Sequence, residues 1–90
     1  MITWDEKKRL LNLKRHGIDF ADVECIFDRG MHSEEDRSAN YAELRINSLG
    51  LLHGRVVRLI WTPAEDGARI ISCRYGDRHD TEIYFKSILY

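Results

Sequence analysis

Two groups of side chains in this 90-residue sequence have the chemistry to hold a phosphate. The first is a cationic run, Lys7, Lys8, Arg9, Lys14 and Arg15, closed by His16. The second gathers near the end: Arg69 and Arg74, then Arg78, His79 and Tyr84. Guanidinium groups match phosphate oxygens two at a time, and cations fixed on rigid elements hold them best. An imidazole with an ordinary pKa near ~6.5 gives or takes a proton at neutral pH. A plainer reading stands beside this one. Lys/Arg-rich helices are commonly solvated faces, and strand arginines commonly pair with local carboxylates such as Asp77 or Asp80. His16 is equally suited to close a helix, where the dipole favours its charged form. Tyr84 is equally suited to a core stripe.

Other chemistries lack their parts. Cys25 and Cys73 have no Cys-x-x-Cys partner, and His16, His32, His53 and His79 show no zinc spacing. Both cysteines read as small buried hydrophobes. There is no Gly-rich phosphate loop and no Gly-x-Ser-x-Gly elbow. No metal and no cofactor is expected.

Apolar residues make up 43% of the chain and charged residues 32%, with a net charge of −1. That composition fits one folded domain spanning residues 1–90 and excludes a disordered chain. No run reaches the ~20 apolar residues of a membrane span, and no signal peptide opens the chain. A cytoplasmic protein is expected. The net charge hides a segregation: Met1–His16 is +3, Asp19–Arg37 is −5 and the remainder is +1. The mean excludes little, because local cations decide phosphate binding.

The elements that must position these residues follow from pattern. A helix begins near Thr3-Trp4-Asp5-Glu6, with Thr3 or Asp5 as cap, and runs to about Arg15. Gly17 stops it in a left-handed conformation. Asp19 caps a second helix whose apolar face is Phe20, Val23, Ile26 and Phe27. A polar connection follows, with a short strand near Met31. Tyr41–Leu49, Arg55–Thr62 and Ala68–Tyr75 then read as antiparallel strands. Simple alternation puts Arg69, Ile71 and Cys73 on one face of the last strand and Ile70, Ser72 and Arg74 on the other. Asp77 suits the cap of a closing helix with Asp80 three residues on and Tyr84, Phe85 and Ile88 as its stripe, although Thr81-Glu82-Ile83-Tyr84-Phe85 also alternates like a strand; the helix is the favoured reading. The expected class is α+β: two N-terminal helices, an antiparallel sheet of three to four strands and a C-terminal helix.

The residues also resemble a family. Trp4-Asp5-Glu6-x-Lys8, Asn12-x-x-Arg15-His16-Gly17-x-x-Phe20 and Phe27 are similar to the opening of the BrnT toxins of bacterial type II toxin–antitoxin systems. Glu43-x-Arg45, Gly50 and Gly54-Arg55-Val56-Val57 resemble that family's central hairpin. Arg69-Ile70-Ile71-Ser72-Cys73-Arg74 resembles its Arg-Ile-Ile-Ser-Ala-Arg strand, and Tyr84 falls where the closing helix usually has a tyrosine. The resemblance runs from Trp4 to about Phe85. Three departures stand out. Asp80 and Thr81 replace Glu-Arg, Tyr75-Gly76 replaces a Lys/Pro-Ala pair, and Phe27-Asp28-Arg29 lacks an Asp-Pro step.

The resemblance implies a compact RelE-like fold and a ribonuclease that blocks translation until a BrnA-like antitoxin neutralises it. It further implies a hetero-oligomer that reaches operator DNA only through the antitoxin. For RNA cleavage of this kind the 2′-hydroxyl attacks the adjacent phosphorus. A base must take the 2′ proton, an acid must protonate the leaving 5′ oxygen, and cations must stabilise the charge between them. Arg69 and Arg74 then suit charge stabilisation, His16 and Tyr84 proton transfer, and Asp80 the orientation of a neighbour. Lys14, Arg15 and Arg78 suit the RNA backbone, a salt-sensitive contact. The rival reading is a non-catalytic module with the same fold, kept as an antitoxin partner and co-repressor subunit.

Overall fold

The computed structural model describes residues 1–89. Its elements are β1 (Ile2–Trp4), α1 (Glu6–His16), two 3₁₀ turns (Phe20–Asp22 and Glu24–Asp28), β2 (His32–Glu35), β3 (Ile46–Leu52), β4 (Arg55–Ala64), β5 (Gly67–Tyr75) and α2 (Arg78–Leu89). The α+β class holds, but the sheet is mixed and has five strands in the order β1-β5-β4-β3-β2. The extended start becomes β1, which lies parallel to β5 with Ile2 opposite Ala68 and Trp4 opposite Ile70. The other pairings are antiparallel. The third strand begins later than the pattern implied, at Ile46.

The helix signals at the start act as read. Asp5 is the cap of α1, accepting from the N–H groups of Lys7 and Lys8, and Gly17 ends the helix at φ +72°. The second helix is corrected. Asp19 does cap, accepting from Ala21 N–H, but two 3₁₀ turns follow instead of an α-helix. The spacing gives the reason. Phe20, Val23 and Ile26 are all fully buried and recur every three residues, the 3₁₀ period rather than 3.6. Ile26 seats so closely on β3 that a Cβ at Gly50 would lie 2.4 Å from its Cγ2. Cys25, on the opposite side of that turn, is exposed, whereas Cys73 is buried and its thiol is pushed up to about 12 by desolvation.

A bulge in β5 changes which residues share a face. Pairing jumps from Ile60–Ser72 to Trp61–Ile70, leaving Ile71 without a partner. Ile70 and Cys73 therefore both enter the core, with Val57, Leu59 and Leu52 beneath the 3₁₀ turns. Arg69 lies opposite Thr62 and Arg74 opposite Arg58. Thr62 and Arg58 alternate onto one face of β4, so Arg69 and Arg74 share a face, contrary to simple alternation. α2 packs on that face over β4, β3 and β2, around Leu49, Val56 and Tyr84. The β5 side of the same face stays open.

α1 runs along β5, and its tie to that strand's edge is a polar side chain. β1 pairs no farther than Ile70, which leaves an uncovered edge beyond it. Asn12, the only buried residue of α1, fills that edge. Its Oδ1 accepts from Cys73 N–H at 3.1 Å, and its Nδ2 donates to Cys73 C=O at 2.8 Å and Ile18 C=O at 3.0 Å. The amide thus stands in for a strand. Asn12→Leu leaves these backbone groups unpaired and is expected to cost about 3 kcal/mol, read as a lower urea midpoint with an unchanged slope.

Candidate functional site

The site is built around a buried carboxylate. Asp77 and Asp80 form the reciprocal cap of α2: Asp80 N–H donates to Asp77 Oδ1 at 2.8 Å, and Asp77 N–H donates to Asp80 Oδ2 at 3.1 Å. Asp80 is only 4% exposed and carries two guanidinium groups. Arg58 Nη2 donates to one oxygen, and Arg74 Nη1 to the other at 3.2 Å. Arg58 is fixed from behind by Asn47 Oδ1 at 2.7 Å, while its buried Nε has no partner among the described residues. Asn47 on β3, Arg58 on β4, Asp80 on α2 and Arg74 on β5 thus form one polar chain across the fold.

Burial alone would raise the pKa of Asp80. The Arg58 hydrogen bond, the Asp77 N–H and the two arginine charges outweigh it and bring the group from 3.8 to about 2. Arg74 shares Nη1 between Asp80 and the Tyr75 carbonyl at 3.0 Å, and its side chain is 42% exposed toward the open face. Arg69 is exposed on that face and forms no salt bridge among the described residues. Thr62 and Arg58 are four residues apart on β4, so their partners Arg69 and Arg74 stand roughly 13 Å apart. They bracket a stretch of backbone rather than one phosphate.

The α1 residues divide. A groove of about 210 Å³ between α1 and β5 is lined by Lys8, Leu11, Asn12, Arg15, His16, Ile71 and Ser72. Arg15 and His16 therefore stand beside Ser72, two residues before Arg74. Lys14 is absent from this lining; about 200° round the helix from Asn12, it points away. Arg78 is 93% exposed at the start of α2, beside Glu82 at 3.2 Å. Tyr84 is 2% exposed, and its hydroxyl donates to the Gly30 carbonyl at 2.9 Å. Its proton is committed to holding α2 against the chain before β2.

Arg58 and Asn47 went unnoticed in the sequence reading, although Arg58 carried a signal. It is a lone charge inside the apolar run Val56–Trp61, and a charge there must find an opposite charge. Asn47 carried no comparable mark.

A small α+β domain that displays arginines on an open sheet face, with an imidazole in the adjoining groove, presents a surface whose charge and donors suit an anion. The model of the family described as the ribonuclease toxin BrnT of type II toxin–antitoxin systems matches residues 4–80. The chain belongs to this family. No individual curated protein matches the sequence. Among the described residues no helix is long and apolar enough to cross a membrane.

The lowered Asp80 pKa fixes a pH dependence. The folded value lies below the unfolded one, so the stabilisation is complete above about pH 4 and is lost as pH falls through 2. It amounts to about 2 kcal/mol. Urea unfolding at pH 5 and pH 2.5 is expected to show this loss in the wild type. Asp80→Asn is expected to be less stable at pH 5, by about 3 kcal/mol, and to lack that component of the acid step.

Proposed function

We propose that this chain is a metal-independent endoribonuclease that inhibits translation and is held inactive by a BrnA-like antitoxin. The observation that carries the reading is Arg74: anchored by a buried carboxylate through one nitrogen, half-exposed, and on the same open face as Arg69. A cation fixed this way meets developing charge without reorganising. The guanidinium of Arg74 stabilises the phosphoryl oxygens as the 2′-oxygen attacks phosphorus. Arg69, too far to share that phosphate, holds a neighbouring one. Neither can shuttle a proton at neutral pH.

His16 is the proton-transfer group: at the groove beside Ser72 it takes the 2′-hydroxyl proton, and solvent protonates the 5′ oxygen released as the P–O5′ bond breaks. Asp80 positions Arg74, and Arg58 positions Asp80 in turn. Arg15 and Arg78 follow the RNA backbone, and Lys14 attracts RNA from the outer side of α1. Tyr84 serves by packing and by its Gly30 bond rather than by proton transfer. The antitoxin supplies the DNA-binding part of a hetero-oligomer that contacts operator DNA, and the RelE-like comparison rests on the shared plan of helix, sheet and closing helix.

Arg69→Ala/Arg74→Ala is expected to lower RNA cleavage by at least ~100-fold in a folded protein and to abolish growth arrest on induction without antitoxin. Undiminished cleavage removes the site assignment. Wild-type protein that binds antitoxin but neither cleaves RNA nor arrests growth establishes the non-catalytic co-repressor module instead. Tyr84→Phe is expected to lose about 1 kcal/mol of stability and to keep full cleavage per folded molecule. A cleavage loss beyond the unfolded fraction returns Tyr84 to the proton-transfer step.

A further inference from the structure

α1 is built inside out. Its one buried residue is polar Asn12, whereas Leu10, Leu11 and Leu13 are 53%, 45% and 39% exposed. At 3.6 residues per turn, Leu10 lies near the middle of the outward face, with Leu11 and Leu13 on its shoulders. Lys7 and Lys14 flank Leu10 on that face, and Lys8 and Arg15 follow toward the groove. None of these four cations forms a salt bridge among the described residues. Leu10 and Leu13 adjoin on the outward face, and Lys7 and Lys14 stand between Leu10 and Leu11; an exposed leucine pair beside unneutralised cations is a surface awaiting a partner.

We propose that this face receives an amphipathic helix of the antitoxin, with apolar residues against Leu10 and Leu13 and carboxylates against Lys7 and Lys14. The inference rests on the antitoxin reading above and names its surface. Charge selects the occupant. A second copy of this chain laid on the same face would set Lys7 and Lys14 against their own equivalents, whereas an acidic helix is complementary. Leu11, just beyond Lys7 and Lys14 on this face, lines the groove that holds Arg15 and His16. A helix on this face therefore overlies the groove's rim, covers its cations and keeps RNA out. Docking and inhibition become one event.

The test uses a BrnA-family antitoxin, co-expressed with the toxin and purified, with binding to the full toxin followed by calorimetry. Leu10→Lys/Leu13→Lys changes two exposed positions outside the groove, so folding and RNA cleavage by the free toxin should match wild type. Antitoxin affinity should fall by at least ~100-fold, because the apolar centre of an interface carries most of its energy. Lys7→Glu should weaken binding by ~10-fold and flatten its salt dependence. Unchanged affinity in the folded leucine variant overturns the surface while leaving the antitoxin reading intact. Failure of the wild type to bind any such antitoxin overturns both. A toxin dimer that forms alone and dissolves in the leucine variant assigns this face to self-association and also overturns the proposal.

Discussion

Everything on the α2 side of the sheet depends on one carboxylate that is almost wholly out of water. Burying Asp80 is costly by itself, and the fold offsets the cost with three donors: two guanidinium groups and the Asp77 N–H of the helix cap. The result ties α2 to β3, β4 and β5. Leu49, Val56 and Tyr84 form a core of only three fully buried side chains on that side, so packing alone would hold α2 weakly. The ionic cluster supplies the missing specificity. It fixes where α2 begins, how Arg58 lies along β4 and in which direction Arg74 leaves the sheet.

The same carboxylate limits the chemistry available to its neighbours. With a pKa near 2, Asp80 is ionised across the physiological range and cannot act as an acid or base there. Arg58 is spent on Asn47 and Asp80, which leaves Arg74 as the member of the cluster with free donors facing solvent. A shorter aspartate at this position suits that arrangement. Its Cβ lies 3.0 Å from where a Cβ on Gly76 would stand, so the carboxyl is pressed against the sheet and the two arginines reach in to it. Positioning is thus achieved from a residue that takes no part in proton transfer.

Much of this was legible in the sequence, for reasons that differ by element. The caps of α1 and α2 were readable because Asp5, Gly17, Asp77 and Asp80 act within a few residues of themselves. The succession of helices and strands followed from hydrophobic pattern and turn residues, and the candidate arginines from cations placed on those elements, but the parallel pairing of β1 did not. Two features escaped because they are settled by distant partners. Phe20, Val23 and Ile26 satisfy a loose helical pattern, and only packing against Gly50 selects the 3₁₀ form. The β5 bulge depends on pairing with β4, and alternation read along one strand cannot reveal an extra residue opposite another. That single residue decides whether Arg69 and Arg74 cooperate or face opposite ways. Asn12 and Arg58 were exceptional in kind, a polar residue and a charge inside otherwise regular elements, and each proved to be a tie between elements.

The polar anchoring of α1 explains why its leucines are free. A helix usually spends its apolar face on its own core. Here Asn12 closes the β5 edge through two hydrogen bonds to Cys73 and makes a third to the Ile18 carbonyl, and α1 is fixed further by Arg9, which pairs with Glu6 at 2.7 Å and Asp19 at 2.9 Å. The helix is thereby held with little apolar burial, and Leu10, Leu11 and Leu13 remain on the outside beside unpaired lysines. Segregated charge follows the same division: the basic segment lies on this exposed helix, and the acidic residues from Asp19 to Asp36 lie in the turns and β2 beyond it. A net charge of −1 is therefore compatible with a strongly basic face. What the near-neutral total removes is long-range attraction for any polyanion, so association must rest on this local surface, where apolar contact and cationic charge coincide.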